Sequence, residues 1–447
     1  SGHIRLSDPA RDADHDDRLN IDVQLQQITD GVAAEIRSLQ WGRSDLRGQL
    51  NFSRGEPPTL TADIQSDYLD VDYIQKKLAA LPGAGAARPT DGNSADGQTG
   101  PSTEPSERSP MADGGNSSLS LIRGVLASPF RLFRGDPETG SKRFFDQEPY
   151  RIGLMQAFDA DVKLLLRQIS GKFGAARQLV AEVSLKGGIF NLQVSADEIN
   201  SAPFELAFEY DSGQTPPRAK LTSMLNGFYP AANKALAPRF AYFDLHAEGV
   251  SQAQLMATMN GEAYVRGDQG EANVEVLGLG FFTGDLLSRV ANLLIPRAEA
   301  VPTLDCAVAY AVITDGVVET PYGMVLQTPK ANILIRSTVN MKKETIAAQF
   351  DSRNRTGVGI SVGSVFSNTV RLGGSLVKPE IVPSATGLAW RSWAAVITGG
   401  VSLLGESMYK RMLGSRDPCK QFAEQIQEKV CRPGTTPAAS SPLVCGA

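Results

Sequence analysis

Several things that would announce a chemistry are missing from this sequence. Lysine and arginine number 44 against 49 aspartates and glutamates, a formal net charge of −5. No long basic run occurs either, so the electrostatic footprint of a phosphate-backbone binder is absent and no nucleic-acid partner is expected. The longest apolar stretch, residues 393–404, contains Gly399 and Gly400 and is bounded by Arg391 and Glu406. It is too short to span a bilayer. There are only three histidines, His3, His15 and His246. The four cysteines, Cys306, Cys419, Cys431 and Cys445, form no C-x-x-C pair and have no histidine near them to complete a zinc site. A disulfide framework is the better reading of an even number, and it implies an oxidising compartment. No methionine stands at Ser1 and no apolar targeting region follows it, so a targeting segment upstream of this chain is expected.

What is present is a composition that folds, with 42% hydrophobic and 21% charged residues, too apolar for global disorder. Its dominant pattern has period two. Leu19, Ile21, Val23 and Leu25 fall on one side and Asn20, Asp22, Gln24 and Gln26 on the other, the signature of a strand with one wet face. The pattern returns at Leu46, Gly48, Leu50 and Phe52, then at Leu60, Ala62 and Ile64, between clusters rich in Gly, Pro, Ser and Asn. After about residue 150 it dominates again. There Phe204, Leu206, Phe208 and Tyr210 are set against Glu205, Glu209 and Asp211, and Phe243, Leu245 and Ala247 form another apolar set. The fold class read from this is mainly β, an antiparallel meander with a few short helices and a C-terminal helical segment.

Helices are expected near residues 73–81, at 252–259 behind a Val250-Ser251 staple and cap, at 285–295 before Pro296, and over 388–429. The stretch 221–231 is ambiguous. Residues 84–117 hold no aromatic or branched aliphatic side chain, so ordering them costs entropy without compensating burial. They lead into an apolar segment carrying Arg123, Arg131 and Arg134, which reads as a helix docked on the body or, alternatively, as one lying on a membrane surface. The organisation is thus an N-terminal β-segment at 1–83, an insertion at 84–143, a second β-segment at 144–276, a C-terminal module at 277–432 and a tail at 433–447.

Strings that resemble catalytic motifs do not hold. Gly359-Ile360-Ser361-Val362-Gly363 matches the nucleophile elbow of α/β-hydrolases, but all three histidines lie upstream of Ser361. Gly278, Gly280 and Gly284 are spaced one residue too widely for a dinucleotide loop. His246 alternates with Leu245 and Ala247 and so points outward as a surface residue. Acidic residues are scattered over wet faces with no isolated pair for acid/base work. No enzyme activity, cofactor or metal is expected.

The order of segments carries more information than any one of them. Ser44-Asp45-Leu46-Arg47-Gly48-Gln49-Leu50 leads to Tyr68-Leu69-Asp70-Val71-Asp72. Phe158-Asp159-Ala160-Asp161-Val162 follows, then Val250-Ser251-Gln252-Ala253-Gln254-Leu255 with Asn260-Gly261-Glu262-Ala263. After these come Leu304-Asp305-Cys306-Ala307-Val308, Asp315-Gly316-Val317-Val318, Leu326-Gln327-Thr328-Pro329 and Leu372-Gly373-Gly374-Ser375-Leu376. Together, over roughly three quarters of the chain, these resemble the AsmA family. The departures are the insertion through residue 134, the charged run Met341-Lys342-Lys343-Glu344, and the lack of an N-terminal anchor.

That resemblance implies a long, twisted, open antiparallel sheet, a bridge-like β-groove with an apolar concave side, standing in the periplasm of a Gram-negative bacterium and anchored in the inner membrane by an upstream helix. It implies phospholipid as the ligand, with the inner and outer membranes and envelope proteins as partners, and a role in outer-membrane lipid homeostasis. It also implies that Cys306 pairs with Cys419, tying the last helical segment to the strand at 304–308; Cys431 and Cys445 would form a second bond. The residues expected to line the groove are Leu19, Ile21, Val23, Leu25, Phe204, Leu206, Phe208, Phe243 and Leu245. The competing expectation for those nine is an ordinary closed core. The competing function is a structural or chaperone-like factor in outer-membrane protein assembly, using exposed strand edges to pair with client strands.

Overall fold

A computed structural model describes residues 2–7, 19–80, 143–171, 174–228, 239–271, 303–329, 331–355, 369–382 and 414–430. It is mainly β, as the alternation predicts. The N-terminal strands are β1 (Gly2–Ser7), β2 (Leu19–Ile28), β3 (Gly31–Trp41), β4 (Ser44–Ser53), β5 (Thr59–Ser66) and β6 (Leu69–Asp70), followed by helix α1 (Val71–Ala80). Helix α2 (Ile152–Ala157) precedes β7 (Asp159–Gly171), β8 (Gly174–Lys186), β9 (Ile189–Ile199), β10 (Ala202–Asp211), β11 (Arg218–Phe228) and β12 (Arg239–Glu248). Then come α3 (Gln252–Thr258), β13 (Asn260–Gly267), β14 (Gly270–Glu271), β15 (Thr303–Leu304), β16 (Cys306–Thr314), β17 (Val317–Glu319) and β18 (Met324–Gln327). The chain continues through β19 (Ala331–Asn340), β20 (Thr345–Asn354), β21 (Thr369–Ser375) and β22 (Pro379–Val382) to α4 (Pro418–Val430).

All of these strands except the short β14–β15 pair belong to one sheet. Strands neighbour one another in chain order from β1 to β5, then β7 to β13, then β16. Beyond β16, the interrupted pair β17 and β18 shares one position between β16 and β19, and β20, β21 and β22 complete the order. Among the described residues β1 and β22 are the two edges. Tight turns set several registers: Gly187 and Gly188 both have positive φ, 57° and 84°, the primed-turn geometry that a two-residue hairpin needs and that glycine adopts without steric cost. The ambiguous stretch at 221–231 begins as strand, because β11 runs to Phe228.

One step departs from the antiparallel expectation. β7 runs parallel to β5, and β6 lies parallel to the end of β7. A parallel neighbour requires a crossover connection rather than a hairpin, and here the connection is the stretch containing α1, residues 81–142 and α2. The expected insertion therefore sits at a topological break in the sheet; most of it, with its arginine-bearing apolar segment, lies outside the described residues. So do the helix expected at 285–295, most of the one at 388–429, and Cys431 and Cys445. The ladder passes from β13 to β16 without interruption, so the boundary drawn near 276 is not marked by a break in the sheet.

Two apolar clusters hold the body together. The larger joins Phe145, Met155, Leu185, Phe190, Tyr210, Leu245, Leu255, Ile313, Ile346 and Leu372. The smaller lies on the opposite side of the sheet, where Cys419, Phe422 and Ile426 of α4 pack on Tyr264, Val308, Tyr310, Val325 and Leu334. The spacing of these three helix residues is one apolar stripe, and Phe422 and Ile426 are fully buried. Asp417 caps the helix through the Lys420 N–H at 3.1 Å, with Pro418 at the first helical position. Cys306 and Cys419 are joined in a disulfide with Cα atoms 6.4 Å apart, which ties α4 to β16 as expected.

Candidate functional site

Because directly opposed residues in a ladder share a face, the registers trace rows of side chains across the whole sheet. One row runs Leu25, Ala34, Leu50, Ala62, Val162, Val183, Leu192, Phe208 and Leu221 from β2 to β11. It continues through Leu245, Gly261, Ile313, Val318, Val339, Ile346 and Gly374 to β21. No polar side chain interrupts it. The adjacent row carries Val23, Ile36, Gly48, Ile64, Leu164, Ala181, Val194, Leu206, Ser223, Phe243, Ala263 and Ala311. Ser223 is its single polar member. Phe204 belongs to the next row, with Leu166, Leu179, Ala196, Leu225 and Ala241. Ile21 opposes Leu39, and Leu19 opposes Trp41.

All nine residues singled out in the sequence therefore lie on one face, although β2 and β12, which carry the most distant of them, have eight strands between them. Keeping that face continuous requires a correction in β3, where a bulge between Ile36 and Leu39 absorbs one residue and restores the phase. Without it, every side chain beyond would move to the other face.

The face is not uniformly exposed. A strap, residues 143–158, runs along the rim where β7 begins. Its Phe144 and Phe145 N–H groups donate to the Glu344 carboxylate at 2.9 and 3.4 Å. Asp146 and Tyr150 follow: the Asp146 N–H donates to Gln252 Oε1 at 3.1 Å and the Tyr150 N–H to the Val250 carbonyl at 2.6 Å. Gln156 Nε2 reaches the Ser212 carbonyl at 3.4 Å, and the Asp159 N–H reaches the Pro58 carbonyl at 2.8 Å. The strap thus links turns from the β19–β20 connection back to the loop before β5. Helix α3, capped by the Ser251 hydroxyl on the Gln254 N–H at 3.3 Å, adds Leu255 to the same rim. The Tyr210 hydroxyl donates to the Gly249 carbonyl at 3.1 Å, and burial pushes its pKa up to about 12.

This covering divides the nine. Leu245 is buried, 5% exposed, and belongs to the large cluster, with Phe208 and Phe243 packed against it. Leu245 lies on the strap side of its strand, where the chain's own residues cover it. Leu19, Ile21, Val23, Leu25, Phe204 and Leu206 are only half-buried and belong to neither cluster. Near the strap's end the face is barer still, with Val32 at 41% and Phe52 at 42% exposure. The strap itself was not singled out from sequence, although Phe144, Phe145, Tyr150, Met155 and Phe158 form an aromatic-rich run directly after the polar insertion.

Catalytic constellations do not emerge among the described residues. No group of three or more His, Cys, Asp or Glu side chains there is placed to hold a metal. His246 is exposed on β12, as its alternation predicts.

Compared with protein-family models, with curated proteins and with solved structures, the chain finds no match.

Proposed function

We propose that this chain is a non-enzymatic lipid-binding body of the AsmA type, which takes phospholipid acyl chains on its apolar face and so supports phospholipid movement to the outer membrane from a periplasmic position. The observation carrying this reading is the row from Leu25 to Gly374, which crosses the sheet without a polar side chain, while among the described residues the buried cluster on that face lies along its strap-side rim. A sheet with one apolar face has to cover it with a second layer or a ligand. Each methylene entering such a surface gains about 0.8 kcal/mol, so an acyl chain exchanges one apolar surrounding for another at little net cost. The sameness of the row along its length gives a chain many nearly equivalent positions, and sliding between them needs no chemical step.

Leu206 and Val23 are half-buried and outside both clusters, so Leu206→Glu and Val23→Glu place a charge on the open part of the face without cutting into the core. Phospholipid co-purifying with the full chain in mild detergent is expected to fall several-fold in each variant, with the far-ultraviolet circular dichroism unchanged. Full lipid occupancy in the double variant contradicts the reading. Client polypeptide in place of lipid, captured on the strand edges, favours the assembly-factor alternative.

A further inference from the structure

Across the polar face of the sheet, charges are matched strand to strand. Lys163 faces Glu182 at 2.7 Å and Arg218 faces Glu248 at 2.9 Å. The middle of that face breaks the pattern. Asp244 of β12 lies directly opposite Glu262 of β13, an arrangement that destabilises a ladder. Neither carboxylate forms an ion pair among the described residues. Glu262 is 8% exposed; its Oε2 accepts from the Tyr310 hydroxyl at 2.7 Å, and its Oε1 has no partner. Alongside runs a row of rings, Tyr242, Tyr264 and Tyr310, with Tyr322 stacked on Tyr310 at 6.2 Å.

Tyr242 also walls a hollow of about 480 Å³ that extends toward β8, with Val180, Ala207 and Met224 for apolar contact and Glu205 among its carboxylates. Glu205 is opposed by Ser195 and Met224, not by a cation. Glu182, the other carboxylate of the lining, is paired with Lys163, and Asp244 stands at the edge of the hollow, opposite Thr222, which lines it. The nearest lysine on β11, Lys220, is opposed by Glu209 and His246. Local rules of charge pairing are broken in folded proteins mainly where a function needs it.

We propose that this hollow docks a lysine- or arginine-bearing segment of a partner protein, with the cationic group held between Glu205 and Asp244 against the ring of Tyr242. Aromatic faces attract ammonium and guanidinium groups, and the aliphatic stems of these side chains cover apolar surface such as Val180 and Met224. The hollow spans β8 to β12, about 19 Å at the usual interstrand spacing, which suits an extended peptide better than a single small cation. Most of its lining residues belong to the face opposite the apolar rows, and Val194, Leu206 and Ser223 of the second apolar row also border it.

Fluorescence anisotropy on the full chain tests this, using a dye-labelled peptide of alternating lysine and leucine and its counterpart with glutamate in place of lysine. The lysine peptide is expected to bind and the glutamate peptide not to. Affinity is expected to fall about tenfold in a Glu205→Gln, Asp244→Asn double variant, to fall in Tyr242→Ala, and to hold in Asp63→Asn, which removes an exposed acid elsewhere on the polar face. The double variant relieves a like-charge contact, so its fold is expected to persist by circular dichroism. Equal losses in Asp63→Asn and the double variant mean only general attraction to an acidic protein and overturn the proposal. So does unchanged affinity in the double variant, or displacement of the peptide by choline or ethanolamine, which assigns the hollow to a small ammonium ligand.

Discussion

At the scale of single residues, Glu262 is the group whose chemistry and stability are most tightly joined. Burial raises its pKa above the usual carboxylate value; the hydrogen bond from Tyr310 works against that, and the neighbouring Asp244 adds to it. The native state therefore holds this proton more tightly than the unfolded chain does. Its contribution to stability is complete below the ordinary carboxylate range and is lost as pH rises through the raised value. Glu262→Gln is accordingly expected to be more stable than the parent at neutral pH, by urea midpoint, with the advantage shrinking as the solution is acidified toward that range. An advantage that stays constant with pH contradicts the assignment. Tyr310 is affected the same way, its pKa raised by burial first and by Glu262 second. None of this was legible in the sequence. The Asp244–Glu262 opposition depends on a register between two strands separated by α3, and alternation alone places both merely on a wet face.

At the scale of elements, the sequence was most informative where a local rule governs. Period-two alternation predicted β2, β4, β5, β10 and β12, and the Ser251 cap with its following apolar residues predicted α3. Elements held by long-range contacts were less visible. The parallel step between β5 and β7 leaves no trace in either strand's alternation, because the apolar face is kept whichever way a neighbour runs. The strap at 143–158 is irregular apart from α2, and its hydrogen bonds go to turns far away in sequence, Glu344 among them. The disulfide is the clearest element-level constraint. It joins residues 113 apart, and in the chain-entropy model a loop of that order stabilises by roughly 4 to 5 kcal/mol. Cys306→Ser is expected to lower the unfolding temperature markedly and to speed hydrogen exchange in α4 before the sheet itself. Non-reducing peptide maps of the parent should recover the 306–419 cross-linked peptide, and free thiols at both positions would rule out the bond.

At the scale of the whole molecule, the fold is a very long sheet whose two faces differ in kind. Among the described residues, one is apolar in row after row, with its buried cluster along one rim. The other carries the matched charges, the hollow beside Tyr242 and the docked α4. The sequence revealed the first property as soon as its strands were aligned in phase. It did not reveal how much of the apolar face the chain covers for itself, since Leu245 and Leu206 have the same place in the alternation and differ only in their distance from the strap. That difference matters for function, because a surface that binds lipid must be both apolar and reachable.

A phospholipid carrying a photoreactive group in its acyl chain, activated in the presence of the full chain and followed by peptide mapping, reads that surface directly. Cross-links are expected on the half-buried apolar positions of β2 to β4 and β9 to β11, Val23, Leu50, Val194 and Leu206 among them, and not on the polar residues between them. Labelling confined to the polar face, or none above the level seen with a heat-unfolded sample, contradicts the proposal that this sheet carries lipid.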